Sequence, residues 1–148
     1  MTTGIIIVDH GSRLPESNLL LEQVARVFHE RYPAEFPIVE PAHMELAEPT
    51  IATAYGRCVE RGADHIVVCP YFLGPGRHWS RDIPRLSHEA QRKHPETSYH
   101  VTATLGLDDL MLQLLRKRIS QCQRNGYVCE RCANSERCGP SARLVAHT

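Results

Sequence analysis

The chain has 148 residues, with 17 basic and 17 acidic side chains, nine histidines and six cysteines, a size that suits one domain or one domain with a short tail. No apolar run approaches the roughly 18 residues of a membrane span, and Ile5 to Val8, with no basic residue before it, is too short for a secretory leader. The balanced charge argues against binding nucleic acid by bulk electrostatics.

The first element in chain order is Gly4-Ile5-Ile6-Ile7-Val8-Asp9, an apolar β-branched run without alternation, as expected of a parallel strand buried on both faces. It ends in the turn His10-Gly11-Ser12-Arg13. Pro15 and Glu16 then open a helix whose apolar face reads as Leu20, Val24, Val27 and Phe28, and Pro33 stops it. A short strand around Ile38-Val39 leads to His43-Met44-Glu45-Leu46. A second helix starts near Glu48-Pro49-Thr50, carries the stripe Ile51, Ala54, Tyr55 and Cys58, and is capped at Gly62.

His65 to Leu73 reads as a third buried strand, ending in the loop Gly74-Pro75-Gly76. A helix from about Asp82 to His94 follows, with Pro84 tolerable only in its first turn and Ile83, Leu86 and Ala90 inward. Tyr99 to Leu105 alternates, as an edge strand does. Asp108 caps a last helix with Leu110, Met111, Leu114 and Leu115 as its core face. The order βαβαβαβα implies an α/β fold: a four-stranded parallel sheet, flavodoxin-like, with helices on both faces, and in a strand order of 2-1-3-4 the first and third strands are neighbours. Function in such sheets lies beyond the carboxyl ends of the strands.

Those ends carry the chemistry. His10 follows the first strand and His78 the third, and adjacent strands would turn both imidazoles into one cleft, with Glu45 as a third member. Imidazole and carboxylate suit a divalent first-row metal such as Co2+, Fe2+ or Ni2+, and imidazole is also a base near neutral pH. Arg13, Arg77 and Arg81 lie beside the same loops and suit forked binding of carboxylates. His29, His88, His94 and His147 read as surface groups. The Gly74-Pro75-Gly76 loop is alternatively a phosphate cradle, but neither glycine-rich nucleotide motif is present, nor is a serine nucleophile elbow.

The charge and the cysteines both divide near residue 115. Residues 1–115 hold 10 basic and 15 acidic side chains, and residues 116–148 hold 7 and 2. Residues 1–120 thus read as the α/β domain and 121–148 as a Cys-rich tail. Cys58 and Cys69 belong to the core of a helix and a strand. Cys122, Cys129, Cys132 and Cys138 cluster within 17 residues, a soft-ligand set suited to Zn2+ or an iron–sulfur cluster. The spacing is not that of a two-knuckle zinc ribbon.

Four stretches in order resemble one family: Asp9-His10-Gly11-Ser12-Arg13; Glu45-Leu46-Ala47-Glu48-Pro49-Thr50-Ile51; Pro70-Tyr71-Phe72-Leu73; and Gly74 to Pro84 with His78-Trp79-Ser80-Arg81-Asp82-Ile83-Pro84. Together they are similar to the small, single-domain sirohydrochlorin chelatases, over roughly residues 4–118. The resemblance implies a cytoplasmic homodimeric lyase that inserts Fe2+, for siroheme, or Co2+, for cobalamin, into sirohydrochlorin, a tetrapyrrole rimmed with carboxylates. It implies that His10 and His78 bind the metal and accept the pyrrole protons, with Glu45 nearby, and that arginines hold the rim. An apolar cleft of Leu73, Trp79 and Leu105 would bend the ring. Some members carry a Cys-rich extension that binds an iron–sulfur cluster, which the tail resembles. The alternative is a metal- or redox-sensing protein acting through that tail. Neither reading involves a membrane or nucleic acid.

Overall fold

The computed structural model describes residues 1–76, 79–124 and 126, and only the backbone of Trp79. Two compact units divide the chain, Met1–Gly106 and Leu107–Thr148. In the first, β1 (Thr3–Asp9), α1 (Pro15–Arg31), β2 (Ile38–His43), α2 (Ile51–Glu60), β3 (His65–Pro70), α3 (Trp79–Arg92) and β4 (Ser98–Val101) alternate. The strands form one parallel sheet, as the sequence predicts, in the order β2-β1-β3-β4, which makes β1 and β3 neighbours.

The unbroken apolar run of β1 serves two layers. Ile6 and Val8 face α2 and α3, packing with Ile51, Ala54, Tyr55, Cys58 and Ile83. Ile5 and Ile7 face α1, packing with Leu21, Ala25 and Val39. Each such burial contributes roughly 1.5–3 kcal/mol, which makes β1 the backbone of both cores. The α2 stripe is buried as expected, Thr50 caps that helix by accepting from Thr53 N at 3.2 Å, and Gly62 follows its end at φ +97°. His94 is not a plain surface group: its ring stacks on Tyr55 with centroids 5.7 Å apart.

Several elements depart from the sequence reading. The inward face of α1 is Leu21, Val24, Ala25 and Phe28, whereas Leu20 and Val27 are exposed. Apolar residues lie on both sides of the helix, so spacing alone admits two stripes. Strand β2 runs on to His43 through Pro41, because an edge strand tolerates a residue without an N–H. β3 stops at Pro70 and β4 at Val101. Helix α3 starts at Trp79, where Ser80 N reaches the Gly76 carbonyl at 3.4 Å, so Pro84 lies inside it rather than in its first turn.

In the second unit α4 spans Asp109–Arg124. Asp108 caps it, its carboxylate accepting from Leu110 N at 2.9 Å. The expected core face is not one: α4 buries none of its residues, and Leu110 and Leu115 are exposed. No helix among the described residues is long and apolar enough to cross a membrane.

Candidate metal and proton-transfer site

The parallel pairing of β1 with β2 ends on Asp9 opposite His43. Beyond it the backbones stay together: Met44 N donates to the Asp9 carbonyl at 2.8 Å and Glu45 N to the His10 carbonyl at 3.1 Å. His10 and Glu45 therefore leave the sheet from neighbouring positions, and His10 Nε2 lies 3.3 Å from Glu45 Oε1. Both side chains are half exposed, 50% and 52%. A pair this open adds little stability, so its value lies in what it offers to solvent. His10 Nδ1 is 3.3 Å from the Gly11 carbonyl. With the Nδ1–H directed there, Nε2 turns a lone pair towards the carboxylate. Two acceptors this close are satisfied by a proton or a metal cation between them, and borderline nitrogen plus hard oxygen suits first-row divalent ions.

The turn that bears His10 is held from three sides. Asp9 Oδ1 accepts from Gly11 N at 3.0 Å and also from His43 Nδ1 at 2.7 Å. Asn18, in the first turns of α1, takes Ser12 N on its oxygen at 2.9 Å and gives its amide N–H to the Ser12 carbonyl at 2.8 Å. Gly11, at φ +88°, has no room for a side chain, because the Glu45 carbonyl fills that space. His43 is fully buried, and its Nε2 has no hydrogen-bond partner among the described residues.

Of the residues singled out by sequence, the structure brings His10 and Glu45 together. Arg13, in the turn after β1, and Arg81, in α3, are exposed, and neither has an ion-pair partner among the described residues. Arg77, His78, Cys129, Cys132 and Cys138 lie outside the described residues. Cys122 sits in α4, partly buried. Leu46, Leu73 and Leu105 expose apolar surface on the loops after β2, β3 and β4. The Leu73 and Leu105 loops are tied together by Leu105 N donating to the Phe72 carbonyl at 2.8 Å. Among the described residues no three His, Cys, Asp or Glu side chains are grouped to hold a metal, so the site there is the His10–Glu45 pair.

Burial pushes the Cys58 thiol up to about 12 and raises Cys69 as well. Neither is a ready thiolate, which agrees with leaving both out of the site. Sequence reasoning missed the supporting set, Asp9, His43 and Asn18. The signal available for two of them was register: once β2 extends through Pro41, Asp9 and His43 face each other across a parallel pair.

The sequence pattern of the CbiX family matches residues 4–122. A protein named chloroplastic sirohydrochlorin ferrochelatase, from Arabidopsis thaliana, is 48% identical over 91% of this chain and 61% of its own length. A protein named sirohydrochlorin cobaltochelatase, from Methanocaldococcus jannaschii, is 49% identical over 56% of this chain and 57% of its own. The chain thus spans about three-fifths of the length of these curated relatives. Among solved structures, SirB from Bacillus subtilis with Fe3+ superposes with a TM-score of 0.71 at 28% identity, over 84% of this chain and 48% of that one.

Proposed function

Because the chain belongs to the CbiX family, we propose that it is a sirohydrochlorin chelatase, a lyase that inserts Fe2+ or Co2+ into the tetrapyrrole with release of two pyrrole protons. The observation that carries this reading is the His10–Glu45 pair, a nitrogen and an oxygen donor 3.3 Å apart at the open end of the sheet. Its half exposure fits a cargo metal that must arrive and leave, where a resident metal would be enclosed. His10 and Glu45 take up the hydrated ion and replace part of its water. His78 completes the set on the sequence resemblance, as the second metal-binding imidazole. As the metal passes to the ring nitrogens, the imidazoles and the Glu45 carboxylate become available to accept the displaced protons. Arg13, Arg77 and Arg81 hold rim carboxylates, and Leu46, Leu73 and Leu105 offer apolar surface to the macrocycle, joined by Trp79 on the sequence resemblance alone.

Iron is the physiological metal in this proposal. The relative that matches 91% of the chain, a span reaching past α4, is the one named a ferrochelatase. In the same reading Cys122, Cys129, Cys132 and Cys138 of the 121–148 segment ligate an iron–sulfur cluster, with no part in insertion, which needs no electron transfer. Two copies form a homodimer in this reading, supported by the match of 84% of this chain to only 48% of the SirB chain, about half of it. The reaction is placed in the cytoplasm; the plant relative's name places that protein in the chloroplast.

The test is anaerobic incubation of sirohydrochlorin with Fe2+ or Co2+, following the visible spectrum. Conversion faster than without protein, lost in His10→Ala, is expected. Equal rates with and without protein for both metals would sink the proposal.

A further inference from the structure

One buried side chain has no place in the chemistry just described. His43 is fully buried at the end of β2, opposite Asp9 of β1. Its Nδ1 is 2.7 Å from Asp9 Oδ1, and its Nε2 has no partner among the described residues. A buried polar atom left without a partner is costly, and an apolar side chain of that size would fill the place without the cost. What the imidazole supplies in return is the one bond at Nδ1.

That bond ends on the same oxygen that accepts the Gly11 amide at 3.0 Å. Asp9 Oδ1 is thus a single junction. One donor comes from the turn that carries His10, the other from the end of the strand that leads to Glu45. We infer that His43 and Asp9 are positioning residues, a side-chain clamp that sets the spacing of His10 and Glu45 before the metal arrives. The inference rests on the chelatase reading of that pair. The backbone bonds from Met44 N and Glu45 N already hold the two chains together. The clamp adds a hold on the His10–Gly11 peptide, and the Gly11 carbonyl, one peptide further on, lies 3.3 Å from His10 Nδ1. Partners that hold a metal-binding histidine in this indirect way are typically worth about 10–100-fold in metal affinity.

Two substitutions separate this role from plain packing. His43→Asn keeps a donor near the Nδ1 position, and His43→Leu removes it while filling the space. Amide exchange at Gly11 is followed in the metal-free protein, Tm is measured, and Co2+ alone is then titrated through its visible ligand-field bands. His43→Asn is expected to bind Co2+ within about threefold of wild type. His43→Leu is expected to keep a Tm no lower than wild type, yet to exchange the Gly11 amide and to release Co2+ about tenfold more readily. A folded leucine variant with wild-type cobalt affinity overturns the inference and leaves the chelatase reading standing. Should that variant not fold, His43→Gln, whose amide lies nearer the Nε2 position, is held to the same criteria. A wild-type protein that gives no cobalt bands overturns the metal site itself, and the clamp with it.

Discussion

The carbonyl oxygen of Glu45 occupies the space where a side chain on Gly11 would begin. The His10 turn and the Glu45 loop are therefore packed backbone to backbone, and Gly11 at φ +88° is the residue that lets them close. Gly11→Ala is expected to cost roughly 2–4 kcal/mol, from the left-handed backbone and from overpacking together. It should also push Glu45 away from His10. Denaturant unfolding reads the first effect and Co2+ titration the second. Unchanged stability would mean that the two loops part without resistance.

A residue far from the site gives the opposite pattern. Thr97 donates its hydroxyl to the His94 carbonyl at 2.7 Å, so the Tyr55 hydroxyl, 2.8 Å from Thr97 Oγ1, is the donor of that buried pair. Tyr55→Phe should cost about 1–3 kcal/mol while leaving cobalt affinity as in wild type. A loss of metal binding with no change in stability would contradict the separation of core and site.

Cys58 makes stability depend on alkaline pH. Burial raises its thiol from the ordinary 9.0 to about 12 in the folded chain. The unfolded chain therefore releases this proton first as pH rises, and the contribution is fully present below about pH 9 and fades towards pH 12. Denaturant midpoints across that window should fall less steeply in Cys58→Ala than in the parent. The same burial predicts that native-state alkylation spares Cys58. Rapid labelling of Cys58 in the folded chain would show that α2 is not closed over the sheet.

The tail is proposed to be separable from insertion. Cys129→Ser combined with Cys132→Ser should remove any visible brown chromophore and leave metal insertion into sirohydrochlorin at the parent rate. Full colour in the double variant would refute the ligand assignment, and loss of insertion would join the tail to catalysis.

The sheet was legible because each strand announces itself separately: a β-branched run in β1 and β3, alternation in β4, turn residues between. His10 and Glu45 were legible because strand ends in a parallel sheet collect function. The face of α1 was not, since Leu19, Leu20 and Val27 lie on its exposed side and hydrophobicity does not distinguish them from Leu21 and Ala25. Pro41 hid the length of β2, and with it the position of His43. Asp9–His43 is 34 residues apart in sequence, and only register brings such a pair together. The apolar stripe of α4 is not buried, which no local pattern reveals.

The placement of β1 has a bearing on how the protein would fail. It is flanked by strands on both sides and by helices above and below, so its amides belong to the part of the fold that opens last. His10 is attached one residue beyond that strand. Fraying of the far sheet edge at β4 leaves the imidazole anchored, whereas loss of β2 would release His43 and Glu45 from it. An ion-handling group that moves little while its surroundings breathe is also one that presents the same geometry at every turnover.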